Sequence, residues 1–444
     1  MYPFLKYNEV IRKINFFLLV LISFSIPFHR LFAVYLCALW IIFSLMEGNF
    51  FKKISRKNEK GYLLLFILFY VLHVIGMTYS ENTKAAEIDI ILKTPFVIMP
   101  LLLFFSGDYL REKKNKILLS FVAGNLLASV ICLIAATVRS FSLVNGTWAF
   151  NAELMDHNYS FWQMLANGGN NFMYQSLSVF HHPGYFSVYI VISVLLLLDM
   201  LVRKEIGKSM HTKALYILLI LFFCIMVYLL FARTGLIALF TILLGYSIYL
   251  TFKGKGKLYK MGMLIIVIIA GILVIGHNER MKNSYYEIKK IFSDPNKITK
   301  QDDRIFIWGI SLEIIKNNFF MGVGTGDSKE KLMEIYREKQ MVEAQKARLN
   351  AHNQFLETTI QLGLPGLLVL LAIFILPFIN AVKNRNIVLM CFLIVNGIFF
   401  FFESCLNRQA GVVFFSFFYS LLVFIPKNEN RNIFTLSKNL KEPC

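Results

Sequence analysis

Three side chains combine a reactive residue type with a position that favours chemistry. His352 lies in AHNQFLETTIQLGLPG, where a polar segment leads into an apolar run, and a histidine at such a junction can serve as a general base. Arg233 lies in FARTG, between two apolar runs, and Arg304 lies in DDRIFIW. Because a guanidinium grips phosphate oxygens through two parallel hydrogen bonds, both arginines are candidates for phosphate binding.

Each of these residues also has a structural interpretation, and the sequence leaves both open. Arg233 could extend to lipid headgroups at a membrane face. Arg304 could be a solvated charge paired with Asp302 or Asp303, which precede it directly. A lone histidine such as His352 is most often structural.

Other polar residues are weaker candidates. His181 and His182 in SVFHHPGYF are adjacent, so they point to different sides and make a poor joint metal site. Lys93 stands inside an apolar run, where a charge suggests function, although Asp89 four residues earlier could be its structural partner. The six cysteines form no CxxC pair and no Cys/His cluster, so we predict no disulfide framework and no metal site.

The composition points to a membrane protein. Of 444 residues, 57% are hydrophobic, 15% are aromatic and only 16% are charged. Soluble domains have roughly a quarter charged residues, so this chain lacks the charge to cover a globular surface. The composition therefore excludes a soluble enzyme, a disordered chain and a collagen-like fibre, and predicts an all-α bundle of membrane-spanning helices.

Twelve apolar runs are candidates for membrane spans of about 20 residues. They are residues 14–27, 31–46, 61–79, 88–105, 117–138, 183–201, 214–231, 234–252, 259–276, 363–382, 387–402 and 409–425. We accordingly predict spans one to nine within residues 1–276, a helical loop domain at 277–362, spans ten to twelve within 363–426 and a tail at 427–444.

The distribution of the basic residues among the loops predicts how these spans are oriented in the membrane. With the N-terminus in the cytoplasm, the cytoplasmic segments hold 26 of the 46 Lys and Arg residues, and the short external loops hold five. Residues 277–362 hold 14 more, but long loops cross the membrane largely regardless of charge. Both termini are therefore predicted to be cytoplasmic, and the net charge of +19 is an orientation signal rather than a sign of nucleic-acid binding.

The long external segment is the expected place for chemistry. A first helix would be capped by Asp302 and would carry Ile305, Trp308, Leu312, Ile315 and Phe319 on one face. The turn GVGTGD at 322–327 lacks the Lys-Ser/Thr of a phosphate-binding Walker loop, so a turn into a second helix at 328–349, capped by Asp327, is the preferred interpretation.

Taken in order, these motifs resemble the O-antigen ligase family of bacterial membrane glycosyltransferases. The resemblance covers residues 233–371: the RTG after a span, the arginine and tryptophan of a large loop, the GVGTG turn, and His352-Asn353 leading into LGLPGL. The segment HHPGYF is similar to the family's segment that precedes the span before this core.

The resemblance implies a twelve-span bundle in the bacterial inner membrane with a periplasmic active site. The family's loop histidine corresponds to His352, and its phosphate-binding arginines correspond to Arg233 and Arg304; His182 and Asn353 would be secondary site residues. The implied donor is a glycan on undecaprenyl diphosphate. The implied acceptor is lipid A-core, in a metal-independent, inverting transfer without a cofactor.

Three other functions stay open at this point. An O-antigen polymerase uses the same donor but a lipid-linked acceptor, and a protein O-oligosaccharyltransferase uses a protein acceptor. A transporter or flippase would also have twelve spans, but its polar residues would be expected near the middle of the membrane. Here the polar candidates gather at one face and in one loop, so transport is the weakest of the three.

Overall fold

The computed structural model describes residues 2–28, 30–47, 59–106, 109–144, 146–151, 170–202, 209–252, 257–277 and 303–425. The chain is mostly helical, as the hydropathy predicts. The helices are α1 (Tyr2–Ser25), α2 (Arg30–Met46), α3 (Lys60–Thr78), α4 (Thr83–Lys93), α5 (Pro95–Phe105), α6 (Tyr109–Arg139), α7 (Tyr174–Leu177), α8 (Pro183–Val202), α9 (Met210–Leu229), α10 (Arg233–Phe252), α11 (Lys257–His277), α12 (Asp303–Asn317), α13 (Ser328–Glu338), α14 (Val342–Lys346), α15 (Gln354–Lys383), α16 (Ile387–Phe402) and α17 (Gln409–Phe424).

Seven helical segments of the described chain are long and apolar enough to cross a membrane. They are α3, the α4–α5 pair, α6, α8, α9, α10 and α15. Each of the twelve predicted runs overlaps a helix, but α1 is not among the seven, and α2, α11, α16 and α17 contribute only shorter apolar stretches. A count of about twelve spans therefore remains a prediction, and so do the predicted domain limits.

A two-stranded hairpin interrupts the helical architecture, which the prediction of an all-α fold did not include. Strands β1 (Phe141–Val144) and β2 (Thr147–Phe150) pair antiparallel, with Phe141 opposite Phe150. The sequence between them is Asn-Gly, the dipeptide most typical of tight hairpin turns, and Gly146 has a φ of 78°.

Phenylalanine rings form the centre of the bundle. The ring of Phe415 on α17 contacts Phe374 on α15 and Phe400 on α16, with centroids 5.3 Å and 5.0 Å away. Phe66 on α3 and Phe96 on α5 continue this cluster at 4.5 Å from each other. Such pairs contribute about 0.5–1.5 kcal/mol each beyond the area they bury, and close packing is what holds helices together in lipid.

The intramembrane charge at Lys93 has a partner. Its side chain is 1% exposed, and its ammonium group contacts both carboxylate oxygens of Asp89, one turn earlier on α4. Of the two interpretations offered by the sequence, the structure supports the structural ion pair.

The long segment before α15 folds partly as predicted. Asp302 lies outside the described residues, and α12 begins at Asp303. The buried face of α12 consists of Ile307, Ile310, Ser311, Ile314 and Ile315, and of these Ile315 belongs to the predicted face. The predicted face was wrong in part, because Leu312 and Phe319 are exposed; both sides of this helix are apolar, so periodicity alone could not select the buried one.

The second predicted helix, at 328–349, is divided in two. Gln340 has a φ of 55°, a left-handed conformation that ends α13, and α14 begins two residues later. The charged segment is therefore more compact than one continuous helix would be.

A sharp break at Gly363 divides α15. Its φ and ψ are 64° and −157°, a conformation that essentially only glycine adopts. Because of the break, the backbone of α15 comes close to the residues that follow α12. The amide of Leu364 donates to the carbonyl of Phe319 at 2.8 Å. A Cβ atom at Gly363 would lie 2.5 Å from the carbonyl oxygen of Phe320.

Replacing Gly363 with alanine should therefore weaken the attachment of the α12–α14 segment to the bundle. Backbone strain of about 1–3 kcal/mol adds to the clash, so we expect a clearly lower midpoint of thermal unfolding in detergent. Gly309→Ala is the matched control, because Gly309 lies on α12 with open space around it. That control should unfold at or above the wild-type temperature. A wild-type midpoint for Gly363→Ala would contradict the account.

Candidate active site

Several helix ends meet at one end of the bundle, called the site end below. Helix α8 begins just after His182, and α10 begins at Arg233. A Cβ atom at Gly235 would lie 2.4 Å from the Cβ of Ser187, so the first turns of these two helices pack backbone against side chain. The end of α16 lies at the same place, because the ring of Phe399 in its last turn contacts the ring of Tyr185 at the start of α8, with centroids 4.9 Å apart.

Glu403 joins two of the predicted site residues. Its Oε1 atom accepts a hydrogen bond from Nη2 of Arg304 at 2.9 Å, and its Oε2 atom lies 3.3 Å from Nδ1 of His352. The Glu403 side chain is 13% exposed, whereas those of Arg304 and His352 are 35% and 24% exposed. The carboxylate is therefore more buried than the guanidinium and the imidazole that it contacts, and both of these groups stay partly exposed to solvent.

The surroundings of Glu403 keep it charged. Burial by itself raises the pKa of this carboxyl, but the hydrogen bond from His352 and the charges of Arg304, His352 and His182 outweigh burial and lower the pKa below its ordinary value. A carboxyl with a lowered pKa is ionised at neutral pH. Glu403 therefore provides a permanent negative charge beside the imidazole.

The backbone holds His352 in a rare conformation. Its φ is 45°, in the left-handed region that non-glycine residues seldom adopt. Its amide donates to Oδ1 of Asn350 at 3.1 Å. On either side, the amide of Ala351 donates to Glu357, and the amide of Asn353 donates to Oγ of Ser404. Strained residues of this kind cluster at functional sites, where surrounding contacts hold them in place.

The other predicted site residues lie nearby in different roles. Asn353 caps α15: its side-chain oxygen accepts from the amides of Phe355 and Leu356. The Nδ1 atom of His182 accepts from the amide of Gly184 at 3.3 Å. Arg233 is half-buried as the first residue of α10. The structure thus brings Arg304 and His352 onto one carboxylate, and a role in catalysis or substrate binding remains a prediction for all five residues.

The GVGTGD turn is a structural connector. The amides of residues 323–326 all donate to protein atoms. The acceptors are the carbonyls of Ile360, Gln361 and Gly76 and the hydroxyl of Ser80. Asp327 was predicted to cap α13, but its carboxylate instead accepts from the amides of Glu81 and Asn82 before α4, both at 2.8 Å. These amides are committed to protein contacts, which supports the preferred interpretation of a turn.

Sequence reasoning missed Glu403 as a partner of Arg304. Arg304 pairs with Glu403, 99 residues away, whereas the suggested pairing with Asp302 or Asp303 involves side chains outside the described part of the chain. A signal was present: Glu403 follows directly on a phenylalanine-rich run predicted to cross the membrane, where an isolated carboxylate calls for a cationic partner.

Comparisons with known proteins match part of the chain. The sequence model of the O-antigen ligase family matches residues 217–371, a range that contains Arg233, Arg304 and His352. An uncharacterized protein of Haemophilus influenzae (strain ATCC 51907 / DSM 11121 / KW20 / Rd) is 28% identical over 178 residues, which cover 36% of this chain and 44% of that protein. The chain therefore matches less than half of the length of this relative. The family resemblance predicted from the order of the motifs is confirmed over residues 217–371.

Proposed function

We propose that the chain is a membrane glycosyltransferase, on the premise that it belongs, through residues 217–371, to the O-antigen ligase family. It moves a glycan from a polyprenyl-diphosphate carrier to the hydroxyl group of an acceptor such as lipid A-core. The observation that carries this proposal is the pairing of both His352 and Arg304 with Glu403 at the site end.

His352 is the general base of the proposed reaction. With Nδ1–H donating to Glu403, the neutral ring exposes Nε2 as the atom that can accept a proton. The acceptor oxygen attacks the anomeric carbon and loses its proton to this nitrogen, while the bond from that carbon to the diphosphate oxygen breaks. Attack from the face opposite the leaving group inverts the configuration at this carbon. Ionised Glu403 stabilises the imidazolium that forms.

The arginines act on the leaving group. As the glycosidic bond breaks, negative charge develops on the diphosphate, and fixed cations stabilise that charge in the transition state. Arg304 uses one N–H bond for Glu403, so most of its five donors remain for phosphate oxygens. Arg233, half-buried at the start of α10, is proposed as the second cation.

The site end is proposed to face the periplasm. The short segments predicted to be cytoplasmic hold most of the basic residues, and they follow the ends of α8 and α10 that are remote from the site. A polyprenyl-linked donor suits that compartment, because it reaches the outer leaflet within the membrane and needs no soluble nucleotide sugar.

Analysis of a deletion strain complemented with the wild-type gene tests this function. We expect long glycan to accumulate on the polyprenyl carrier, with none on the final acceptor, because the transfer step alone is lost. The readouts are a glycan gel and an analysis of the lipid-linked oligosaccharides. Acceptor that carries a single repeat would indicate a polymerase instead. Wild-type glycans in both pools would contradict glycan transfer altogether.

A further inference from the structure

We propose that the apolar tip formed by Phe319, Phe320 and Met321 inserts into the lipid of the bilayer at the site end and anchors α12 to the membrane surface. These three consecutive side chains are 43%, 74% and 58% exposed. They begin two residues after α12 ends at Asn317. Contiguous exposed apolar residues of this size mark an interaction surface.

Contacts with two helices that can cross a membrane fix the depth of the apolar tip relative to the bilayer. The hydroxyl of Tyr79, the residue after α3, donates to the carbonyl of Met321 at 2.6 Å. On the other side, the amide of Leu364 donates to Phe319 at the break in α15. Both contacts lie where a long apolar helix segment begins or ends. The tip is therefore held at the boundary of the hydrocarbon layer.

The exposed apolar surface continues from the tip onto these two helices. On α3, Val74 and Ile75 are 41% and 45% exposed, and on α15 Leu368 is 56% exposed. Side chains of this type on spanning helices face lipid. The tip extends that lipid-facing surface beyond the ends of the helices, which is why we assign lipid, and not a protein partner, as its occupant.

The rest of the segment after α12 has a different surface. The exposed side chains of α13 include Lys331 and Glu334, which pair with each other at 2.9 Å. Lys316, in the last turn of α12, precedes the tip; the stem of such a lysine lies along apolar surface while its ammonium group reaches the headgroups. A short apolar tip flanked by polar groups is typical of an interfacial anchor.

Anchoring of the apolar tip has a consequence for the candidate active site, and this consequence rests on the proposed function. Arg304 lies in the first turn of α12 and pairs with Glu403, and the tip follows the other end of the same helix. Held at both ends, a helix of 15 residues spans roughly 22 Å along the membrane surface. Arg304 is thereby kept at the depth of headgroups, where the diphosphate of a lipid-linked donor lies.

Spin labelling of the full chain in lipid nanodiscs tests the insertion. The label is placed at Phe320→Cys in a background without the six native cysteines, once that background is shown to elute as a single species. Val342→Cys is the control, since Val342 is 51% exposed on α14 in the charged part of the segment. We expect the label at 320 to collide with oxygen, which concentrates in lipid, and to be shielded from a water-soluble nickel chelate. The control should show the opposite.

Three results would overturn the proposal. Equal access of the nickel chelate to both labels would place the tip in water. Shielding from both reagents would mean that protein covers it. Loss of the oxygen collisions on addition of a polyprenyl phosphate would assign the tip to the carrier chain. None of these measurements requires glycan transfer, so failure of the proposed function would leave the result on insertion intact.

Discussion

Replacement of His352 with asparagine is expected to slow glycan transfer about 10²–10⁴-fold, the usual contribution of a general base. Asparagine cannot accept a proton from the acceptor hydroxyl at neutral pH. It is the preferred substitution because His352 has a φ of 45°, and asparagine tolerates the left-handed region better than most residues. The fold is therefore preserved while the base is removed. Transfer should be measured with a lipid-linked donor and purified protein.

Two further variants make this result interpretable. His352→Ala should lose as much activity, since it also lacks a base, but it should be somewhat less stable at this backbone position. His211→Asn is the matched control, because His211 is exposed near the start of α9, remote from the site end, and it should transfer glycan at the wild-type rate. Wild-type activity in His352→Asn would rule out His352 as the base.

The sequence was sufficient to predict the positions of most helices and two of the side chains that meet at Glu403. Hydropathy located the helices, because a backbone in lipid must satisfy its own hydrogen bonds and a long apolar run is therefore expected to be helical. His352 and Arg304 could be identified because each stands in a polar segment next to an apolar one.

The other features of the candidate site depend on tertiary contacts, which the spacing of residues along the sequence does not encode. Glu403 lies 51 residues from His352 and 99 from Arg304, and only the packing of α16 beside α15 brings them together. The φ of His352 has the same origin, because hydrogen bonds from its neighbours to Glu357 and Ser404 hold the backbone there. The sequence carries no local sign of the His352 conformation, and for Glu403 it indicates only that a cationic partner is needed, not which one.

The second large effect is expected at Arg304. Its replacement with alanine should reduce the rate of transfer about 10²–10³-fold, the usual cost of removing one group that stabilises transition-state charge. Arg304→Lys should retain part of the activity, since it keeps the charge but loses the planar fork. Arg348→Ala is the matched control: Arg348 pairs with Glu330 at 2.9 Å in the same segment, but this exposed pair lies outside the proposed site. That control should transfer glycan normally.

A double-mutant cycle with Glu403→Gln separates the two possible roles of Arg304. Glu403→Gln should itself cost about 10–100-fold, because the carboxylate that orients His352 is lost. If Arg304 served only to hold Glu403, the double variant would be no slower than Glu403→Gln. We expect it to be slower, because Arg304 also binds the leaving diphosphate. The two effects should not simply multiply, since the side chains are in contact. A double variant as fast as Glu403→Gln would limit Arg304 to positioning the carboxylate, and the cation for the leaving group would then have to be Arg233.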